Sequence, residues 1–187
     1  MKSSVTLCAV GLLCSCASSR PDNFYILRPQ PQAAAQPGSA PTTPVALKIT
    51  LPSLVDRPEM ILNTSADAVT VLEHERWGAP LADLVAQTLG QDIERRRGDL
   101  LVGVPGAARA GSPAVKITID VVQMTARQAD HVSIETHWRI VDPRKSTDVT
   151  GNEIFSASLG SNTYSGIAQG LSECLGHLAD RLVAQIQ

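Results

Sequence analysis

Aromatic side chains are scarce in this 187-residue chain, which has two Trp, two Tyr and two Phe. Positive charge is also limited, with 16 Lys and Arg against 18 Asp and Glu and a net charge of −2. Proteins that bind nucleic acid need concentrated positive charge to displace counterions, so nucleic acid is excluded as a partner. Long hydrophobic runs are missing too. The apolar stretch from Val5 to Leu13 is well short of the about 20 residues that a membrane-spanning helix requires. Catalytic signatures are absent: there is no Gly-x-Ser-x-Gly elbow, no Ser-x-x-Lys, no His-Glu-x-x-His and no glycine loop placed to cradle a phosphate. No cofactor and no enzymatic activity are expected.

The amino terminus carries the most specific signal. Lys2, the apolar run Val5 to Leu13 and the tetrad Leu13-Cys14-Ser15-Cys16 read as a lipoprotein signal peptide over residues 1–15, with acylation at Cys16. Leu three residues before the cysteine and Ser just before it are favoured in such a lipobox, whereas Cys8 and Cys14 each follow a leucine. The alternative is an ordinary signal peptide that happens to contain cysteines. Two or three acyl chains hold a protein on a membrane far more firmly than one, each buried methylene contributing about 0.8 kcal/mol. Ala17 follows the cysteine where Asp retains lipoproteins in the inner membrane, so the expected location is the periplasmic face of the outer membrane.

Loss of the signal leaves a mature charge of about −3, and acylation of Cys16 leaves Cys174 as the remaining thiol. No intramolecular disulfide is then possible, even in an oxidising compartment. Cys174 falls on the apolar stripe of the last predicted helix and reads as a small core hydrophobe. The run Arg95-Arg96-Arg97 reads as a helix terminus, where cations meet the negative end of the dipole, with a phospholipid headgroup contact as the other reading.

Residues 16–44 form a lipidated amino terminus. It holds the apolar quartet Phe24-Tyr25-Ile26-Leu27, expected as a strand, and five prolines between Arg28 and Pro44 that argue for a loop or linker. If the quartet docks on the body, the tether is Ala17 to Asn23, roughly 20 Å fully stretched; if not, it runs to Pro44. Residues 45–187 form one domain. Val45, Leu47, Ile49 and Leu51 alternate as a strand, with further strands at Ala68 to Leu72, near Met60 to Asn63, and at Leu100 to Val104. Leu81, Leu84, Val85, Leu89 and Ile93 recur at helical spacing between Pro80 and Gly98. Long antiparallel strands follow from Val115 and from Val132. A third strand is expected at Phe155 to Leu159, after a turn region from Asp142 to Gly151. Ile167 to Leu182 defines a closing helix. The predicted fold is α+β, a two-layer sandwich with one mainly antiparallel mixed sheet and two amphipathic helices on one face.

Other chemistry-bearing residues are isolated. His131 and His137 share a strand face but stand about 20 Å apart at roughly 3.3 Å per residue. Glu135 and His137 are adjacent on that face without a visible third metal ligand. Gly166 and Gly170 read as a coincidence of helical spacing rather than a motif.

Leu51-Pro52-Ser53-Leu54-Val55-Asp56-Arg57-Pro58, followed by Glu75-Arg76-Trp77-Gly78-Ala79-Pro80-Leu81, resembles the PqiC family of auxiliary lipoproteins in ABC-type lipid transport. Members carry a lipobox, an aromatic-x-Leu strand (here Tyr25-Ile26-Leu27), a segment leading to Asp-Arg-Pro and an Arg-Trp-x-x-Pro-Leu helix start. The proline-rich stretch is longer here than in that family. The resemblance implies a non-enzymatic docking subunit for an MCE-domain periplasmic subunit, with a homo-oligomeric ring as one arrangement, and Asp56, Arg57, Pro58 and Trp77 as partner-binding residues. Each also has a structural reading: Trp77 as a staple onto the helix's first turn, and Asp56-Arg57-Pro58 as a turn with an internal ion pair. The alternative function is an outer-membrane lipoprotein that activates a cell-wall synthase or assembles a secretion channel.

Overall fold

The computed structural model describes residues 20–31, 43–103, 115–161 and 163–186. Cys16, Ala17, the signal segment, residues 32–42 of the proline-rich stretch and residues 104–114 lie outside the described residues.

The elements run β1 (Asn23–Tyr25), β2 (Thr43–Thr50), β3 (Glu59–Asn63), β4 (Val69–Trp77), α1 (Leu81–Arg96), β5 (Leu100–Gly103), β6 (Val115–Ala126), β7 (His131–Asp142), β8 (Thr147–Ser158) and α2 (Tyr164–Gln185). Two mixed sheets form rather than one, ordered β1-β4-β3 and β5-β2-β6-β7-β8. Parallel pairing is more prominent than alternation alone indicated: β2 runs parallel to both β5 and β6, and β1 parallel to β4. Alternation shows which face of a strand is buried but not which strand pairs with it. The β6-β7-β8 meander is antiparallel, as expected.

The helices lie side by side on one face of the five-stranded sheet, α1 over β2 and β5, α2 over β7 and β8. Inward-facing Val45, Leu47, Ile117, Ile119, Ile134 and Ile140 meet Leu89 and Ile93 of α1 and Leu171, Cys174, Leu178 and Leu182 of α2, all nearly inaccessible to solvent. Each such aliphatic side chain contributes about 1.5 to 3 kcal/mol when fully buried. Helix α2 starts at Thr163, whose hydroxyl accepts from the Gly166 N–H at 3.2 Å. The opposite sheet face, with Lys116, Asp120, His137, Arg139 and Asn152, is exposed.

Three expectations are corrected. Strand β4 runs to Trp77 rather than stopping at Leu72. Its charged continuation Glu73-His74-Glu75-Arg76 is held by β1 on one side and by pairs to Asp22 and Glu59. Strand β8 starts at Thr147, so the turn spans only residues 143–146, with Ser146 at φ 52°. Gly151, which looks like a turn residue, is mid-strand opposite Trp138. A Cβ there would sit 2.2 Å from the indole ring. Gly170, finally, is more than a coincidence of spacing: a Cβ would come 2.6 Å from Val132 and 3.0 Å from Leu159, so its bare backbone lets α2 approach the sheet closely.

Candidate functional site

The amino-terminal segment is built into the body. Strand β1 alternates, with Tyr25 and then Leu27 turned inward, Leu27 only 6% exposed. The carbonyl of Tyr25 accepts from the Gly78 N–H at 2.7 Å, which ties β1 to the end of β4. Beneath it lies Glu75, a carboxylate buried in the three-stranded sheet. It accepts from the Tyr25 hydroxyl at 2.6 Å and from Asn23 Nδ2 at 3.1 and 3.2 Å, with the Arg20 guanidinium 3.6 Å away. Burial, reinforced by this bond to a carboxylate, pushes the Tyr25 hydroxyl up to about 12.

Past Leu27 the chain leaves the sheet and crosses both helices. The Arg28 N–H donates to Ser172 Oγ of α2 at 3.1 Å, and the Gln30 N–H to Asp92 Oδ1 of α1 at 2.9 Å. Gly176 makes room for the crossing, since a Cβ there would meet the Gln30 side chain at 2.6 Å. Asp92 is fully buried and also accepts from Arg96 at 3.0 Å. Its Oδ2 has no partner among the described residues. Burial raises the Asp92 carboxyl above its ordinary range despite the opposing pull of the Gln30 N–H and of Arg96. Arg96 reaches on to Asp180 and to the Gly176 carbonyl, clamping the two helices together beneath the segment.

The clamp accounts for the arginine run. Arg95 donates to the Gln30 carbonyl, and Arg97 pairs with Asp99 and donates to the Ile186 carbonyl at 2.6 Å. All three arginines hold elements of this chain together. Sequence patterning could not show this, because the partners lie up to 89 positions away.

The two family-like words meet at one end of the three-stranded sheet. The loop from Pro52 to Pro58 folds back on itself through the Val55 and Asp56 N–H groups, both donating to the Pro52 carbonyl. Asp56 and Pro58 are exposed. Arg57 pairs with Glu59 at 3.0 Å rather than with Asp56, and that bond holds the Glu59 carboxyl below its ordinary value. Trp77 is 7% exposed and shares a cavity of about 20 Å³ with Val55, Met60, Leu81, Ile167 and Leu171. Its ring therefore sits under the loop, at the first turns of both helices.

Among the described residues, no group of three or more His, Cys, Asp or Glu could hold a metal ion. Cys174 is fully buried, its thiol donates toward the Val132 carbonyl, and burial raises its pKa to about 12, so almost none of it is thiolate at neutral pH. Glu135 and His137 project from the open face of β7. No helix among the described residues is long and apolar enough to cross a membrane.

Comparison with known proteins agrees with this architecture. A crystal structure of an uncharacterized protein superposes with a TM-score of 0.74 at 12% identity, covering 90% of this chain and all of the other. A protein from Xanthomonas campestris superposes with a TM-score of 0.64 at 15% identity, covering 86% of this chain and 92% of the other. At these identities the likeness shows the fold alone. The PelC dodecamer of Paraburkholderia phytofirmans reaches a TM-score of only 0.44 at 13% identity, too slight to bear on assembly. No curated protein matches the chain. The sequence profile of the ABC-type transport auxiliary lipoprotein component matches residues 25–183, from the inward-facing Tyr25 of β1 to the last turn of α2. The chain belongs to the family of ABC-type transport auxiliary lipoproteins, membrane-anchored components that serve a transport system.

Proposed function

We propose that this lipoprotein is a non-enzymatic docking subunit on the periplasmic face of the outer membrane, receiving the MCE-domain subunit of an ABC-type phospholipid transport system. The observation that carries the reading is the attachment of residues 23–30 to the body through β4, Ser172 and Asp92. Acylated at Cys16, a chain docked from Asn23 onward has a tether of only Ala17 to Asp22, so the body stays close to the bilayer. An adaptor that passes lipid between a transporter tip and a membrane needs that proximity. An activator of a cell-wall synthase, which must reach through the cell-wall mesh, benefits instead from a long free arm.

The partner surface in this proposal is the Asp56-Arg57-Pro58 loop, whose exposed Asp56 and Pro58 stand at the same end of the sheet as β1. Trp77 contributes by supporting the loop from the core. A closed ring of copies would match the symmetry of a hollow MCE assembly.

The test is crosslinking in native membranes, followed by purification of the tagged lipoprotein and mass spectrometry of what accompanies it. Recovery of an MCE-domain subunit, lost on Asp56→Arg substitution, is the expected result. Recovery of a cell-wall synthase or secretion component in its place would overturn the proposal.

A further inference from the structure

We infer that the outward face of the docked amino-terminal segment, Phe24 and Ile26 with Arg28 beside them, lies on the bilayer that holds the anchor and fixes the orientation of the body on the membrane. The inference rests on the reading of Cys16 as the acylated residue.

The same alternation that turns Tyr25 and Leu27 inward turns Phe24 and Ile26 outward, 66% and 51% exposed. These are two of the seven large apolar side chains exposed among the described residues, placed side by side on a sheet edge where polar residues would serve solubility better. They are held firmly, since the backbone between them is paired to β4 and a Cβ on Gly78 would touch the Ile26 side chain at 3.1 Å. Phe24 and Ile26 line one side of an open groove of about 800 Å³ between the segment and α2, with Arg28, Ala168 and Gln169 also in its lining. An apolar pair with Arg28 beside it, at the rim of a groove of mixed polarity, matches the layered chemistry of a phospholipid surface, with acyl chains beneath anionic headgroups.

Chain length selects the bilayer over other occupants. Phe24 is eight residues from Cys16, so it cannot stand more than about 28 Å from the anchor along the fully extended chain. The open face of the five-stranded sheet exposes Val122 and Ile154, but these lie on β6 and β8 of the sheet to which β1 does not belong. Because the tether holds this edge near the membrane at all times, even weak insertion of two side chains suffices to orient the body.

The experiment uses acylated full-length protein in vesicles of phosphatidylethanolamine and phosphatidylglycerol. Phe24→Cys, Ile26→Cys and, on the open face, Asn152→Cys are each labelled with an environment-sensitive fluorophore; the buried Cys174 is shielded from the reagent. Nitroxide carried on lipid acyl chains should quench the probes at positions 24 and 26 several-fold more than the probe at 152. In parallel, amide exchange of residues 20–28 in the unlabelled protein should slow on vesicles. Protein that floats with the vesicles while its probes at 24 and 26 remain as open to an aqueous quencher as the probe at 152 overturns this inference alone. Self-quenching that vanishes on dilution with unlabelled protein would assign the face to a second copy and overturn it too. Protein that fails to float overturns the anchor reading and this inference with it.

Discussion

The backbone N–H of Trp77 donates to the carbonyl of Pro58 at 2.8 Å, so that the last residue of β4 and the last residue of the Asp-Arg-Pro loop are joined although 18 positions of chain separate them. The bond makes the loop and the indole one unit: the ring fills the space beneath, and the loop presents Asp56 above.

Replacing Trp77 with Ala should therefore act on stability first. Truncating a buried Trp removes about 3 to 5 kcal/mol, and thermal unfolding should show a lower Tm, with Trp77→Phe less affected. Asp56→Arg, on an exposed turn, should change stability by no more than about 0.5 kcal/mol while reducing recovery of the partner. If Trp77→Ala left the Tm unchanged, the ring would not be the support described.

Tyr25→Phe tests the docking of β1. It removes a hydrogen bond to a buried carboxylate, worth about 1.5 to 3 kcal/mol for charged partners and less here because the tyrosine is only partly buried. The hydroxyl's folded value is raised to about 12 from 10. Its contribution is fully present below pH 10 and is lost as pH rises toward 12. The wild-type protein should lose stability over that alkaline window, and Tyr25→Phe should lose less. Hydrogen exchange at residues 23–27 should speed up in the variant.

Arg96→Ala should be among the most damaging single changes, because it leaves the buried Asp92 without its guanidinium partner. Removing one member of a buried pair costs about 3 to 5 kcal/mol. The Asp92 carboxyl is raised in the folded state, so its stabilising contribution is present below the ordinary carboxylate range and is lost as pH climbs through the raised value. The deficit of Arg96→Ala should shrink in mild acid, measured by urea unfolding at a series of pH values. The double variant Asp92→Leu with Arg96→Ala should lose less than the two single losses added together.

Gly151→Ala should destabilise by about 1 to 3 kcal/mol through overpacking against Trp138. Near-ultraviolet circular dichroism should show a disturbed indole environment. Combining it with Trp138→Leu, which vacates the clash, should cost less than the sum of the two single changes. A Gly151→Ala protein of wild-type stability would mean that β8 is free to shift away from β7.

Wherever one face of an element meets water and the other meets the core, the order of residues alone settled the structure: the period of two in β2, β6 and β7 and the spacing of three and four in α1 and α2 are all in the sequence because solvent sorts side chains locally. The lipobox and the Asp-Arg-Pro and Arg-Trp words are equally local, and they sufficed to indicate the family. Only the tertiary structure decided what depends on distant partners. The strand expected at Ala68 to Leu72 extends through Glu73-His74-Glu75-Arg76 because β1 and Asp22 supply that charged stretch with partners. Gly151 looked like a turn residue until Trp138 occupied the space above it. The three arginines looked like a helix end, and their function as a clamp emerged when α1, α2 and Gln30 came together. The outward pair of Phe24 and Ile26 likewise became a surface only once β1 was paired to β4, because pairing fixes which side of a strand faces the core.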